Sequence, residues 1–252
     1  MQDFTPTPDL LKNKAILVTG AGDGIGRTAA LTFAHYGATV ILLGRTTKKL
    51  ESIYDEIEQN GYPQPAIYPM NLEGAAPKDY QDLANIIEQE FGHLDGLLNN
   101  AAILGKLAPV QHYDIETWFK VMQVNLNAQF MLTQACLPLL GKAEYGRIVF
   151  TSSGVSQAPR AYWGAYSVSK AGIDNFMGTL ADELENTKVT TNSINPGATR
   201  TAMRQIAYPA EEPESLKTPA SIMNTYLYLM SEASTEVNGQ VITAIEEQLA
   251  PA

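Results

Sequence analysis

The sequence predicts an α/β fold, a doubly wound parallel sheet with helices on both faces. Three observations predict it. Short β-rich apolar runs alternate with segments of helical period along the whole chain, and a glycine-rich turn joins the first run to the first helix. The 252 residues, 45% hydrophobic and 17% charged, carry enough apolar side chain to cover both faces of a buried sheet, and no linker-like stretch divides them.

Taken in order, a polar leader at 1–11 gives way to "KAILVTG", a strand ending in glycine, and to "IGRTAALTFAHYG", a helix with a glycine stop. "ATVILLG" and "TTKKLESIYDEIEQNG" repeat the pair, as do "PAIYPMN" with "APKDYQDLANIIEQEFG" and "LDGLLNNA" with a helix over 117–140. "GRIVFTSS" leads into a helix over 164–186, and "VTTNSINPG" and "GQVITAI" supply the last strands, about seven in all. Such strands pair in parallel through right-handed crossovers. The proline-containing stretches at 62–69 and 208–219 read as short loops, so residues 1–252 are expected to form one domain.

Composition narrows the function. Seventeen basic against twenty-seven acidic residues give a net charge of −10, which repels phosphate polymers and anionic membranes, and no long basic patch offsets it. Neither nucleic acid nor membrane is expected as a partner. Cys136 is the sole cysteine, so no intrachain disulfide can form. The N-terminus lacks a basic start and an apolar signal core, and no apolar run reaches membrane-spanning length, which leads us to expect a cytoplasmic protein.

"VTGAGDGIGRTAA" places Gly20, Gly24 and Gly26 between the first strand and the first helix. Ligands of doubly wound sheets sit beyond the carboxyl ends of the strands, where a helix N-terminus offers free N–H groups to a pyrophosphate. Glycines let the backbone turn sharply and approach closely, so the turn predicts dinucleotide binding. An acid at the end of the second strand would select NAD by bonding the ribose hydroxyl. That position is Gly44, followed by Arg45, whose guanidinium suits a 2′-phosphate. NADP(H) is therefore favoured over NAD(H).

"YSVSK" sets Tyr166 and Lys170 four residues apart on one helical face. A phenol with a pKa of ~10 must be made more acidic to exchange protons near neutrality, and an adjacent ammonium lowers it. "FTSSGVSQAP" adds hydroxyls at a strand's carboxyl end that can bind a carbonyl oxygen gaining charge: Ser153, with Ser152 and Ser156 as weaker candidates.

Together "TGAGDGIG", "NNAA" at 99–102, "YSVSK" and "NPGATRT" at 195–201 resemble the short-chain dehydrogenase/reductase family, in its order and spacing over about 12–245. "VILLGR", "VMQVN" and "LPLL" are similar to its YciK-type bacterial subgroup. The resemblance implies a single-domain Rossmann-like sheet and a catalytic set of Asn125, Ser153, Tyr166 and Lys170, with Asn125 helping to hold a water that leads to the lysine. It also implies cofactor contacts at Gly20, Gly22, Asp23, Gly24, Ile25, Gly26, Arg45, Asn71, Leu72, Asn99, Ala101, Tyr166, Lys170, Pro196, Gly197, Thr199 and Thr201. Three positions depart from the family pattern: Ala102 replaces a glycine, Asp23 stands where many NADP users carry a base, and Asn71 replaces an adenine-binding aspartate.

The expected activity is hydride transfer between NADP(H) and a carbonyl or alcohol substrate, a 3-oxoacyl thioester among the candidates. The rival is a dinucleotide-binding regulatory protein without turnover. Ile103, Leu104, Tyr162, Trp163, Met203, Ile206 and Tyr208 would wall the substrate space, and one of Arg160, Arg200 and Arg204 would meet an anionic group. His35, His93 and His112 lie on separate elements without metal-ligand spacing, so no metal is expected. The helices over 117–140 and 164–186 resemble those that pair subunits in the family, implying a homo-oligomer, a dimer or tetramer.

Overall fold

The computed structural model describes residues 4–246; positions 1–3 of the expected leader and 247–252 of the expected domain lie outside the described residues. Alternation of chain direction begins with β1 (Ala15–Thr19), α1 (Gly24–His35), β2 (Thr39–Gly44), α2 (Thr47–Gln59), β3 (Ala66–Pro69), α3 (Pro77–Phe91) and β4 (Gly96–Asn99). It continues through α4 (Ile115–Met122), a π-helical segment (Gln123–Asn127), α5 (Ala128–Leu140), β5 (Gly146–Thr151), the short α6 (Gly154–Gln157) and α7 (Gly164–Glu183). β6 (Val189–Asn195), α8 (Ala202–Ala207), α9 (Met223–Met230) and β7 (Val241–Thr243) complete it.

The seven strands lie in the order β3-β2-β1-β4-β5-β6-β7, every pair parallel. The chain winds outward one way from β1 to β3, returns, and winds the other way from β4 to β7. The reversal between β1 and β4 opens a crevice at the carboxyl ends of the strands, where nothing crosses to fill it.

Strand geometry explains why these runs read as nearly continuous apolar stretches. Along β1, Ile16 and Val18 face one core with Val40 and Leu42 of β2, while Ala15 and Leu17 face the other with Ile41 and Leu43. A period of two with both sets buried is what a sheet covered on both faces requires. The first core is closed by α1, α2 and α9, the second by α3, α5 and α7. Buried Cys136 belongs to the second.

The structure corrects the sequence reading at four places. The helix expected over 117–140 begins at Ile115 and carries the π-helical segment Gln123–Asn127 in its middle. Such a segment adds a residue to the turn and re-aims the side chains on it. α8 and α9 were not foreseen: α9 buries Met223, Tyr226, Leu227, Leu229 and Met230 on several sides, which erases the polar face that marks a helix. The helix over 164–186 stops at Glu183. The polar leader is partly core, since Leu11 is buried and Phe4 packs edge-on to Tyr228 of α9 at 5.2 Å between ring centres. Among the described residues no helix is long and apolar enough to cross a membrane.

How α1 meets β1 decides the shape of the crevice. A Cβ on Gly26 would stand 2.3 Å from the Gly20 carbonyl oxygen and 2.5 Å from Asn100 Nδ2, so only glycine lets the helix sit this close to the strand end. Gly20 itself has φ of +66°, and a Cβ there would touch Ala101 Cα at 3.0 Å. Gly26→Ala is expected to cost about 1–3 kcal/mol, as overpacking of a rigid contact does, read as a lower denaturation midpoint with unchanged slope. A midpoint equal to wild type would mean that α1 can shift freely on β1.

Candidate active site

A cleft of about 620 Å³ runs along the carboxyl ends of the strands, from the turn after β1 to the loop carrying α8. Gly20, Gly22, Asp23, Gly24 and Ile25 line one end, with Arg45, Asn71 and Leu72 beside them; Ala101, Pro196, Gly197, Thr199 and Thr201 line the middle. Ser153, Tyr166 and Lys170 stand together on the far wall. Two expected contacts do not line it. Gly26 lies beneath the turn, where it allows close packing. The Asn99 side chain is fully buried and donates to Thr133 Oγ1 of α5 at 3.0 Å, so it fastens β4 to a helix.

Its neighbour Asn100 takes the place expected of Asn99. Asn100 lines the cleft, donates through Nδ2 to the Thr19 carbonyl, and accepts from Thr151 Oγ1 at 3.2 Å. Consecutive residues leaving a strand point to opposite sides; that parity is the signal that separates the two asparagines in "NNAA".

At the turn, Asp23 caps α1 by accepting from the Gly24 N–H at 2.8 Å and pairs with Lys49 Nζ at 2.5 Å. The Lys49 contact, then the backbone N–H, hold its carboxyl below the usual range although burial opposes them. An acid in the phosphate turn is thus already matched by a cation. Arg45 is exposed just after β2, whose last residue is Gly44 and not an acid. Glycines lining a helix N-terminus, with the exposed Arg45 beside them, fit a dinucleotide with an additional phosphate.

Tyr166, Lys170 and Ser153 come from two elements. α7 presents Tyr166 and Lys170 on its buried face, and the end of β5 presents Ser153, the N-cap residue of α6. The Tyr166 hydroxyl shares a hydrogen bond with Ser153, while the ring packs edge-on to Trp163 at 5.7 Å. Lys170 is 1% exposed and donates from Nζ to the Thr151 carbonyl at 2.6 Å; Nζ lies 5.7 Å from the Tyr166 ring centre.

Without a cofactor, burial governs both partners of this pair. Burial pushes the phenol up to about 12, opposed only by the Ser153 hydrogen bond. Burial also pulls Lys170 down to about 8, opposed by the negative charge of Asp174. Desolvation penalises the charged form of each group.

Asn125 sits in the π-helical segment, fully buried. Its Oδ1 accepts from the Ile103 N–H at 2.8 Å, and its Nδ2 donates to the Ile103 carbonyl at 2.9 Å and to Ser169 Oγ at 3.1 Å. The side chain stitches the loop after β4 to α7 without lining the cleft. Ser152 and Ser156 both donate to Asp174 Oδ2, which removes them as free donors.

Of the expected substrate walls, Ile103, Leu104, Trp163, Met203 and Ile206 line the cleft, and Tyr162 and Tyr208 stand outside it. The arginines are engaged. Arg204 grips Glu211 through Nε and Nη2, both at 2.6 Å, with its guanidinium 3.8 Å over the Tyr208 ring. Arg200 pairs with Glu214 at 2.7 Å, and Arg160 donates to the Tyr208 hydroxyl. Of the three, Arg204 also lines the cleft. His35 contacts the Tyr62 hydroxyl and His93 pairs with Asp95, both away from the cleft.

Residues 14–212 match the short chain dehydrogenase family. The chain is 48% identical over 241 residues to the uncharacterized oxidoreductase YciK of Escherichia coli K12, covering 96% of this chain and 95% of that one. A crystal structure of a short chain dehydrogenase from Salmonella enterica serovar Typhi superposes with a TM-score of 0.94 at 48% identity, covering 95% and 99% of the two chains. One from Escherichia coli CFT073, complexed with NADPH, gives 0.92 at 49% identity, covering 94% and 99%.

The Lys170 value makes a prediction about stability. Its folded value of about 8 lies below the ordinary 10.5, so between these the unfolded chain binds more protons and stability rises with pH. The cost of burying this ammonium is full below pH 8 and fades towards 10.5. The stability difference between Lys170→Met and wild type is therefore expected to shift in favour of wild type as pH rises from 8 to 9.5, at a slope of at most ~1.4 kcal/mol per pH unit. The window stops there because Tyr166, held up to about 12, loses stability above its ordinary 10.0. Urea denaturation across the range measures it; a constant difference would show Lys170 charged throughout.

Proposed function

The chain belongs to the short chain dehydrogenase family, and from that premise we propose that it is an NADP(H)-dependent oxidoreductase of small, uncharged carbonyl or alcohol compounds, with Tyr166 as its acid and base. The observation that carries this reading is the convergence of Ser153, Tyr166 and Lys170 on one wall of the cleft that begins at the glycine turn. A protein that only bound a dinucleotide would need no hydroxyl pair there.

The backbone N–H groups at the start of α1 and the glycines Gly20, Gly22 and Gly24 would hold the pyrophosphate, Arg45 and Lys49 the additional phosphate, and Asn71 the adenine edge. Lys170 would hold the nicotinamide ribose. NADP(H), when bound, supplies or accepts the hydride and in its oxidised form adds a positive charge near the phenol. Tyr166 gives its proton to the substrate oxygen as carbon is reduced, and takes it back in the reverse direction. Ser153 donates a hydrogen bond to the same oxygen, stabilising the charge that gathers on it. Lys170 offsets the developing phenolate, which burial alone disfavours. Asn125 keeps the loop after β4 in register with α7, so its part is positional.

Support for an NADP(H) preference comes from Arg45 at the end of β2 and from the relative solved with NADPH. Support for an uncharged substrate comes from the apolar lining by Leu104, Trp163, Met203 and Ile206 and from the prior engagement of Arg204. Pairing between subunits of this chain through α4, α5 and α7 remains part of the same reading.

Consumption of NADPH with a panel of ketones and aldehydes, each neutral member matched to a carboxylated analogue, tests the proposal. Neutral members are expected to give kcat/KM about tenfold higher, and Tyr166→Phe to lower kcat by at least ~100-fold with NADPH affinity nearly unchanged. Tight NADPH binding without turnover on any member would favour the regulatory alternative. Arg45→Asp is expected to weaken NADPH by about 10–100-fold, the worth of a charged hydrogen-bond pair, while NADH improves. Parallel losses for both cofactors would remove Arg45 from phosphate recognition.

A further inference from the structure

The cleft does not account for one half-buried carboxylate beside it. Asp174 lies on α7 one turn after Lys170, on the same helical face and outside the cleft lining. Two hydroxyls from another element converge on one of its oxygens: Ser152 Oγ donates to Oδ2 at 2.7 Å and Ser156 Oγ at 2.6 Å. The two hydroxyls are themselves 3.2 Å apart, and Ser156 Oγ is also within 2.8 Å of the Ser153 carbonyl. Ser152 directly follows β5 and Ser156 belongs to α6, so these contacts tie down the chain before and after Ser153.

We propose that Asp174 is a positioning residue. Its carboxylate clamps Ser152 and Ser156 on either side of Ser153, fixing that hydroxyl against Tyr166, and sets a negative charge one helical turn from the Lys170 ammonium. The first effect is geometric. Ser153 has extended backbone and caps a helix of four residues, too short to hold its own shape, and its side chain makes no capping bond. Without the carboxylate, the two flanking hydroxyls lose a shared acceptor and the turn loses its anchor on α7. Charge-assisted bonds to a carboxylate are the stronger kind, and two of them meet at this oxygen.

The second effect is electrostatic. The titratable groups that face Lys170 are Tyr166 and Asp174 on its own helix and Tyr226 of α9, which faces Thr151 and Tyr166. Burial raises both phenols, which leaves Asp174 as the carboxyl group facing Lys170 among the described residues. It favours the ammonium over the neutral amine in a place where burial does the opposite. One carboxylate thus serves both partners of the phenol: the hydroxyl that shares its hydrogen bond and the cation that offsets its charge.

The part of this inference that concerns turnover rests on the proposed function; the part that concerns Lys170 does not. The test is a titration of ligand-free protein labelled with ¹³C at lysine Cε, together with pH profiles of NADPH-dependent carbonyl reduction, for wild type, D174N, D174E and the double variant S152A/S156A. D174N is expected to lower the Lys170 midpoint by about one pH unit and kcat by about tenfold or more, with the Lys170-linked limb of the profile moving the same way. D174E is expected to restore much of both. S152A/S156A keeps the charge and loses the clamp, so kcat should fall while the Lys170 midpoint stays. A D174N protein with the wild-type midpoint would overturn the electrostatic role, and S152A/S156A with kcat within about twofold of wild type would overturn the clamp, even if D174N failed to fold. A wild type that reduces no carbonyl compound would end the proposed function, and the lysine titration would still decide whether Asp174 acts on Lys170.

Discussion

The hydrogen bond from Lys170 to the Thr151 carbonyl, 2.6 Å long and sealed from solvent, is the constraint on which the site depends. It joins the middle of α7 to the last residue of β5, the strand that delivers Ser153. With that bond in place, helical pitch puts Tyr166 one turn back along α7 and Asp174 one turn on, so the acid, the cation and the anchoring carboxylate take their positions from a single contact. A buried ammonium with no such acceptor would carry a large desolvation cost, and loss of its proton would follow. The carbonyl at the carboxyl end of a parallel strand is one of the few backbone acceptors that the sheet leaves free for it.

The fold supplies the rest through the reversal between β1 and β4. Because neighbouring strands there connect outward in opposite directions, their following loops part, and the crevice between them receives the α1 N-terminus from one side and the β5 and β6 loops from the other. Gly26 sets how closely α1 stands, through a contact that a single methyl group would close. Asn100 ties the two halves together, bonding to Thr19 at the end of β1 and to Thr151 at the end of β5. Affinity for a dinucleotide and placement of the phenol therefore share one framework of backbone and amide contacts.

Much of this was legible in the residues. Strand positions follow from runs that stay apolar at both parities, the phosphate turn from glycines at a strand-to-helix junction, and the Tyr166 and Lys170 pairing from helical pitch alone. What escaped has physical reasons. The π-helical segment around Asn125 changes hydrogen-bond pattern without changing composition, and α9 is buried too evenly to show a stripe. Asn99 and Asn100 differ only in which way each leaves the strand, a matter of register that a repeated letter hides. The direction of the Tyr166 shift could not be read from spacing, because spacing reports the distance to a charge while burial depends on everything that packs over it. The partnerships of Arg204 with Glu211 and of Asp174 with Ser152 and Ser156 are tertiary, and local pattern carries no trace of them.

On the wall opposite the glycine turn, aromatic packing joins the outer loop to the phenol. Arg204 lies 3.8 Å over Tyr208, Tyr208 stands 5.8 Å from Trp163, and Trp163 stands 5.7 Å from Tyr166, so an unbroken row of contacts leads from the outer loop to the phenol. The guanidinium at its outer end is held on its edge by Glu211 and on its face by an aromatic ring. For an anionic ligand to recruit it, the ligand would first have to displace that carboxylate and disturb the ring, returning much of the energy it gained. A neutral, flat or aliphatic body meets Trp163, Met203 and Ile206 at no such cost and leaves the row intact. The same packing that covers Tyr166 therefore also fixes Arg204, and neither can change without changing what Trp163 rests on.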